Sequence, residues 1–97
     1  MVKHMIIWKL KLTGEELEAQ KKLIKNGLEG LAGKIPGMTD IHVQIENLPT
    51  SNADMMLDSS FETVEALAGY QVNPLHVEAA TYVRSVVESR LCLDYEI

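Results

Sequence analysis

The sequence predicts an α+β fold in which four antiparallel strands carry their helices on one face, in the order β-α-β-β-α-β. Three observations lead there. Residues 2–12 and 41–46 alternate with period two; Thr13 and Thr63 each stand just ahead of a helical apolar period; and Asn73-Pro74 breaks the second helix in two.

In the first strand Val2, His4, Ile6, Trp8, Leu10 and Leu12 share one side. Lys3, Met5, Ile7, Lys9 and Lys11 share the other, so one face is apolar and the reverse partly so. Thr13-Gly14-Glu15-Glu16 has capping-box spacing, in which the hydroxyl and the carboxylate three residues on satisfy free N–H groups reciprocally. The helix behind it carries Leu17, Ile24, Leu28, Leu31 and Ala32 on one stripe, with Leu23 beside it. Lys21, Lys22, Lys25 and Glu29 lie largely off the stripe. Gly33 is expected to end this helix, and Ile35-Pro36-Gly37 suits a type II turn.

Residues 41–46 make the second strand and residues 53–61 the third, with Met55, Leu57 and Phe61 on one face and Asp54, Asp58 and Ser60 on the other. Thr63 caps a short helix carrying Val64, Leu67 and Tyr70. Asn73 can cap a new helix, and Pro74 fits its first position. That helix is expected to reach Ser89, leaving residues 90–96 as the closing strand. The order is the split βαβ of a ferredoxin-like fold, one domain over residues 1–97, without repeats or linkers.

Helices cover one face of such a sheet. Met5, Ile7 and several residues of strands two to four would leave the other face apolar and bare, which marks a binding surface. A second copy stacked sheet to sheet covers it most simply, giving a two-fold homodimer with a shared barrel-like core.

Composition narrows the functions. The net charge of −5 lacks the basic footprint that nucleic acid requires. The N-terminal apolar stretch turns polar at Lys9, too short to span a bilayer, and no secretory signal is expected. Cys92 is the sole cysteine, so no internal disulfide and no structural zinc pattern are available, and HExxH and P-loop motifs are absent. A cytoplasmic protein without metal or cofactor is expected.

Chemistry concentrates in Tyr70-Gln71-Val72-Asn73-Pro74-Leu75-His76. His76 falls in the first turn of the new helix, on a stripe continued by Ala79, Ala80, Val83 and Val87. A neutral imidazole can take a proton near pH 7, and a phenol can stabilise negative charge growing on a carbonyl oxygen. Together they suit enolisation, aldol cyclisation, isomerisation or dehydration. The plainer alternative is a histidine tying the broken helix to the sheet and a tyrosine serving as core. His4, Ile6, Trp8 and Ile24 are expected to line a ligand site between helices and sheet, although Trp8 also suits plain core. His42 should face outward.

Several signals keep a shared order and spacing: Val2-Lys3-His4, Ile35-Pro36-Gly37, Phe61-x-x-x-Glu65-Ala66-Leu67-x-x-Tyr70, Pro74-x-His76 and Asp94-Tyr95-Glu96. In these the chain resembles the stress-responsive dimeric α/β-barrel family, the Dabb domains. The resemblance implies the fold above and a homodimer. Most members have no established reaction. One plant member closes a linear polyketide by aldol condensation with a Tyr and a His, roles that map onto Tyr70 and His76, with His4 in the same pocket region. The chain departs at Asn73, where many relatives place another His before Pro, and at Val87, where the cyclase has a bulky aromatic. The pocket walls therefore differ, and the substrate does not transfer. Some members carry magnesium, and related dimeric barrels suggest cofactor-free oxygenase chemistry by fold analogy. The reading is a homodimer that binds a small hydrophobic or aromatic keto ligand, with an enolising enzyme built on His76 and Tyr70 as the alternative.

Overall fold

The alternation of the first strand decides which side of the sheet the helices cover. In the computed structural model, which describes residues 1–97, β1 (Val2–Leu10) is an inner strand between β3 (Met55–Phe61) and β4 (Val87–Glu96). The edge beyond β3 is β2 (Met38–Gln44), and all pairings are antiparallel. His4 faces Ser59 on one side and Asp94 on the other; Ile6 faces Leu57 and Cys92. Val2, His4, Ile6, Trp8 and Leu10 are all buried, and α1 (Gly14–Glu29), α2 (Val64–Val72) and α3 (Pro74–Val86) cover that face. The Tyr82 hydroxyl donates to Gln20 Oε1 and ties α3 to α1.

Several details differ from the sequence reading: β1 ends at Leu10 rather than residue 12, β2 spans Met38–Gln44 rather than 41–46, and β3 begins at Met55 rather than residue 53. Thr13 is the N-cap of α1, but its side chain caps nothing; only its carbonyl accepts, from Leu17 N–H at 3.3 Å. Gly14 enters the helix at φ 61°, a left-handed step outside capping-box geometry. The α-helix stops at Glu29, and N–H groups of Leu31, Ala32 and Lys34 bond three residues back until Gly33 turns at φ 78°. Gly27 and Gly30 are weak helix formers, so the end tightens into 3₁₀-like turns. Finally, α3 passes directly into β4 at Val86–Val87 with no loop. Pairing with β1 captures residues 87–89 that were expected to be helical: Val87 faces Leu10, Ser89 faces Lys9, and Lys11 N–H donates to Val86 at 2.8 Å. Glu88 is left over as a bulge.

Helix α1 also guards an edge. Glu29 Oε2 accepts from Val43 N–H at 2.8 Å, Lys25 Nζ donates to Val43 O at 2.7 Å, and Lys21 Nζ donates to Ile45 O at 3.2 Å. These groups would otherwise be free to pair with a foreign strand. Lys21 is therefore buried, at 4% exposure, rather than lying off the packed stripe. Burial pushes the Glu29 carboxyl up, but Lys25 and the Val43 N–H outweigh it and hold the group below its usual range.

The reverse face is divided. Its β1–β4 half is apolar: Met5 lies beside Leu93, Ile7 beside Leu91, and both leucines are more than 60% exposed. The β2–β3 half presents Asp40, His42, Gln44 and Asp58, so the apolar area is narrower than strands two to four suggested. Lys3 Nζ pairs with Asp58 at 2.5 Å on the seam. No helix is long and apolar enough to cross a membrane.

The expected type II turn is present. Met38 N–H donates to Ile35 O at 3.2 Å, and Gly37 sits at φ 79°. A Cβ on Gly37 would lie 2.5 Å from Ala66 Cβ, whereas one on Gly27 would meet nothing within 4 Å. Gly37→Ala should therefore cost about 1–2 kcal/mol or more, and Gly27→Ala should gain up to about 1 kcal/mol. Thermal unfolding checks the opposite signs; equal effects would contradict the turn geometry.

Candidate active site

The break after α2 brings the Tyr70 and His76 side chains together. Asn73 ends α2 and opens α3 with φ −65° and ψ 128°, and its Oδ1 accepts from Leu75 N–H at 3.0 Å. At the other end of α2, Thr63 Oγ1 accepts from Ala66 N–H at 3.0 Å. The elbow sets the His76 ring against that of Tyr70, with centroids 4.0 Å apart and planes 35° off parallel. Tyr70 is 1% exposed and also meets Phe61, at 5.0 Å, and His4, at 6.0 Å.

A cavity of about 320 Å³ lies between these helices and the sheet. Its walls include His4, Ile6 and Trp8 from β1 together with Tyr70 and His76. Ile24 is not on the wall. It is 3% exposed within the core, and Leu28, one turn later, is the α1 residue that reaches the cavity. Helix α1 packs chiefly on β2, the edge farthest from β4, so only its last turn comes near. Leu23 points away, 56% exposed.

The Tyr70 hydroxyl and His76 Nδ1 are both buried without a hydrogen-bond partner. Leaving such a group unpaired costs about 1–3 kcal/mol. Burial pushes the Tyr70 phenol up to about 12, so at neutral pH it is a donor. Burial also lowers His76; the Gln71 carbonyl opposes this, while Arg84, His4 and Arg90 add to it. The imidazole is thus neutral and able to accept a proton. His4 Nδ1 lies 2.5 Å from Asp94 Oδ1. A carboxylate can only accept, so Nδ1 carries the proton and the second ring nitrogen remains free. Ser59 Oγ donates to the His4 carbonyl at 2.9 Å and fixes the backbone beneath.

Cys92 Sγ, His4 Nδ1 and Asp94 Oδ1 lie within 4.8 Å of one another, a donor set chemically suited to a borderline-soft cation. The direct His4–Asp94 bond accounts for two of the three, and partial burial, with Asp94 next, pushes the Cys92 thiol up. His42 faces outward near Glu29, 57% exposed.

The structure thus joins Tyr70, His76, His4, Ile6 and Trp8 around one space. Sequence reading missed Arg84 and Arg90 on its wall. Arg84 could have been found, since it lies eight residues beyond His76 on the same helical stripe.

Fold and site together describe a ferredoxin-like chain whose broken second helix closes a histidine- and tyrosine-lined cavity. The family model described as the stress responsive A/B barrel domain matches residues 2–97. The chain is 35% identical to the stress-response A/B barrel domain-containing protein HS1 of Arabidopsis thaliana, over 98% of this chain and 88% of that protein. It is 32% identical to olivetolic acid cyclase of Cannabis sativa, over 97% and 94% of the two chains. Among solved structures, a dimeric ferredoxin-like protein of unknown function from Bacteroides fragilis superposes with a TM-score of 0.91 at 31% identity, covering 99% and 95%. The chain belongs to the stress-responsive A/B barrel domain family.

His76 also links stability to pH. Its folded pKa lies below the unfolded value of about 6.5, so the unfolded chain takes up the proton first. The contribution is complete above about pH 6.5 and is lost as pH falls through the folded pKa. Between about pH 7.5 and 5.5 the wild-type Tm should therefore fall further than that of His76→Gln. Parallel falls would show that His76 is not the group responsible.

Proposed function

We propose that this chain is a cytoplasmic homodimer that binds a small, largely apolar carbonyl compound in each cavity and removes a proton beside the carbonyl. His76 is the base and Tyr70 the hydrogen-bond donor to the carbonyl oxygen, with His4, Ile6 and Trp8 holding the ligand. The supporting observation is that one cavity reaches a neutral imidazole and a protonated phenol, each with a buried, unbonded polar atom. Similarity to a relative named as a cyclase agrees with it.

In the step envisaged, the C–H electron pair moves onto the carbonyl as the proton passes to the imidazole. The phenol hydrogen bond strengthens as the oxygen gains charge, which is where such a donor accelerates reaction. The imidazolium then returns its proton, either to carbon, giving exchange or isomerisation, or to the alkoxide formed when the enolate attacks a second carbonyl of the same molecule. No redox partner is needed.

Dimerisation is read from the β1–β4 half of the open face and from the dimeric relative of known structure. Burying Leu91 and Leu93 against a second copy would stabilise association by roughly 1.5–3 kcal/mol per side chain. The free, exposed Cys92 suits a reducing compartment.

Deuterium exchange beside the carbonyl of aryl and aliphatic ketones, followed by NMR, tests the chemistry. His76→Ala should remove exchange, and Tyr70→Phe should slow it about 100-fold or more while still binding ligand. A ligand that raises Tm while neither wild type nor variant exchanges it would leave a binding protein without turnover. For assembly, Leu91→Lys with Leu93→Lys should convert the dimer to a folded monomer in light scattering. An unchanged mass would place the interface elsewhere.

A further inference from the structure

We propose that the ligand of this cavity is a keto acid, its carboxylate held by Arg84 and Arg90 while its carbonyl lies at Tyr70 and His76. The proposal rests on the carbonyl reading above and adds the charge and polarity of the molecule.

The chain has a net charge of −5 and nine cationic side chains, of which only two are arginine. Both arginines line the same cavity, and no lysine does. Lys3, Lys21 and Lys25 pair with carboxylates of the protein; Arg84 and Arg90 pair with none. The Cys92 thiol lies within reach of Arg90. Two unpaired guanidinium groups lining one cavity, one from α3 and one from β4, offer planar, multi-donor recognition of a carboxylate, which lysines would not supply as well.

Their placement is directional. Along α3 the cavity stripe runs His76, Ala80, Val83, Arg84. Arg84 therefore starts about 12 Å of helix rise beyond His76, with apolar residues between. The same axis appears in β1, from His4, 6.0 Å from the Tyr70 ring, to Trp8, which faces Arg90 in β4. Regular alternation would put Val87 and Arg90 on opposite faces of β4, but the bulge at Glu88 sets both on the cavity side. The site is thus polar at both ends and apolar between. Arg84 and Arg90 also depress His76, so an anion beside them would restore basicity to the catalytic imidazole.

Three probes test this by calorimetry on the full chain: an eight-carbon keto acid with its ketone at the far end, the eight-carbon methyl ketone without the carboxylate, and octanoate. Wild type should bind the keto acid about ten-fold or more tightly than the methyl ketone, a ratio that shrinks with added salt. In Arg84→Gln/Arg90→Gln, checked for fold by circular dichroism, the ratio should fall to about one. By NMR, the His76 pKa should rise with the keto acid and stay put with the methyl ketone. A ratio near one in wild type, or one that persists in the double variant, overturns the proposal. The readings separate cleanly. Arginine-dependent binding of keto acid and octanoate without exchange keeps the anion site and sinks the proton transfer. Equal exchange of keto acid and methyl ketone, indifferent to both arginines, does the reverse. Failure of all three to bind overturns both.

Discussion

The helix break at Asn73-Pro74 is the constraint on which the site depends. On an uninterrupted helix, residues 70 and 76 would point about 120° apart and lie about 9 Å apart along the axis, and could not meet. Pro74 lacks an N–H, and the Asn73 side chain satisfies Leu75 instead, so α2 ends and α3 restarts at an angle. That restart lays His76 against Tyr70 and lifts α3 off the sheet near β1 and β4. A two-residue local preference thereby creates both the stacked pair and the space beneath it.

The sheet is managed differently at its two sides. At β2, charged side chains of α1 take the outward backbone groups, and the reverse face is polar. At β4 the face away from the helices is apolar, while the side toward them carries Arg90, Cys92 and Asp94. One strand therefore serves two environments with opposite chemistry. His4 depends on this arrangement, because the carboxylate that sets its tautomer comes from β4.

What the sequence made legible was local. The β1 alternation, the Ile35-Pro36-Gly37 turn, the Thr63 cap and the Asn73-Pro74 break each rest on neighbouring residues, and each is present. The Tyr70–His76 meeting was legible for the same reason. What was not legible was set by distant partners. Val87 to Ser89 continue a helical pattern, yet pairing with β1 makes them strand. Lys21 looks solvated until the Ile45 carbonyl above it is known. Asp94 and His4 are separated by 90 positions, and Arg90 shares a face with Val87 only because Glu88 bulges. The Thr13 motif had the right letters, but the left-handed step at Gly14 spoils its geometry.

The loop-free passage from Val86 to Val87 couples two surfaces through chain length alone. With no slack to absorb an added residue, an insertion in β4 just beyond the bulge would rotate everything after it by half a turn of the pleat. Leu91 and Leu93 would then swing beneath the helices, and Arg90 and Asp94 would face outward. The cavity-facing and outward-facing side chains of β4 thus stand on alternate letters of one short word, and shifting its frame would exchange both sets at once.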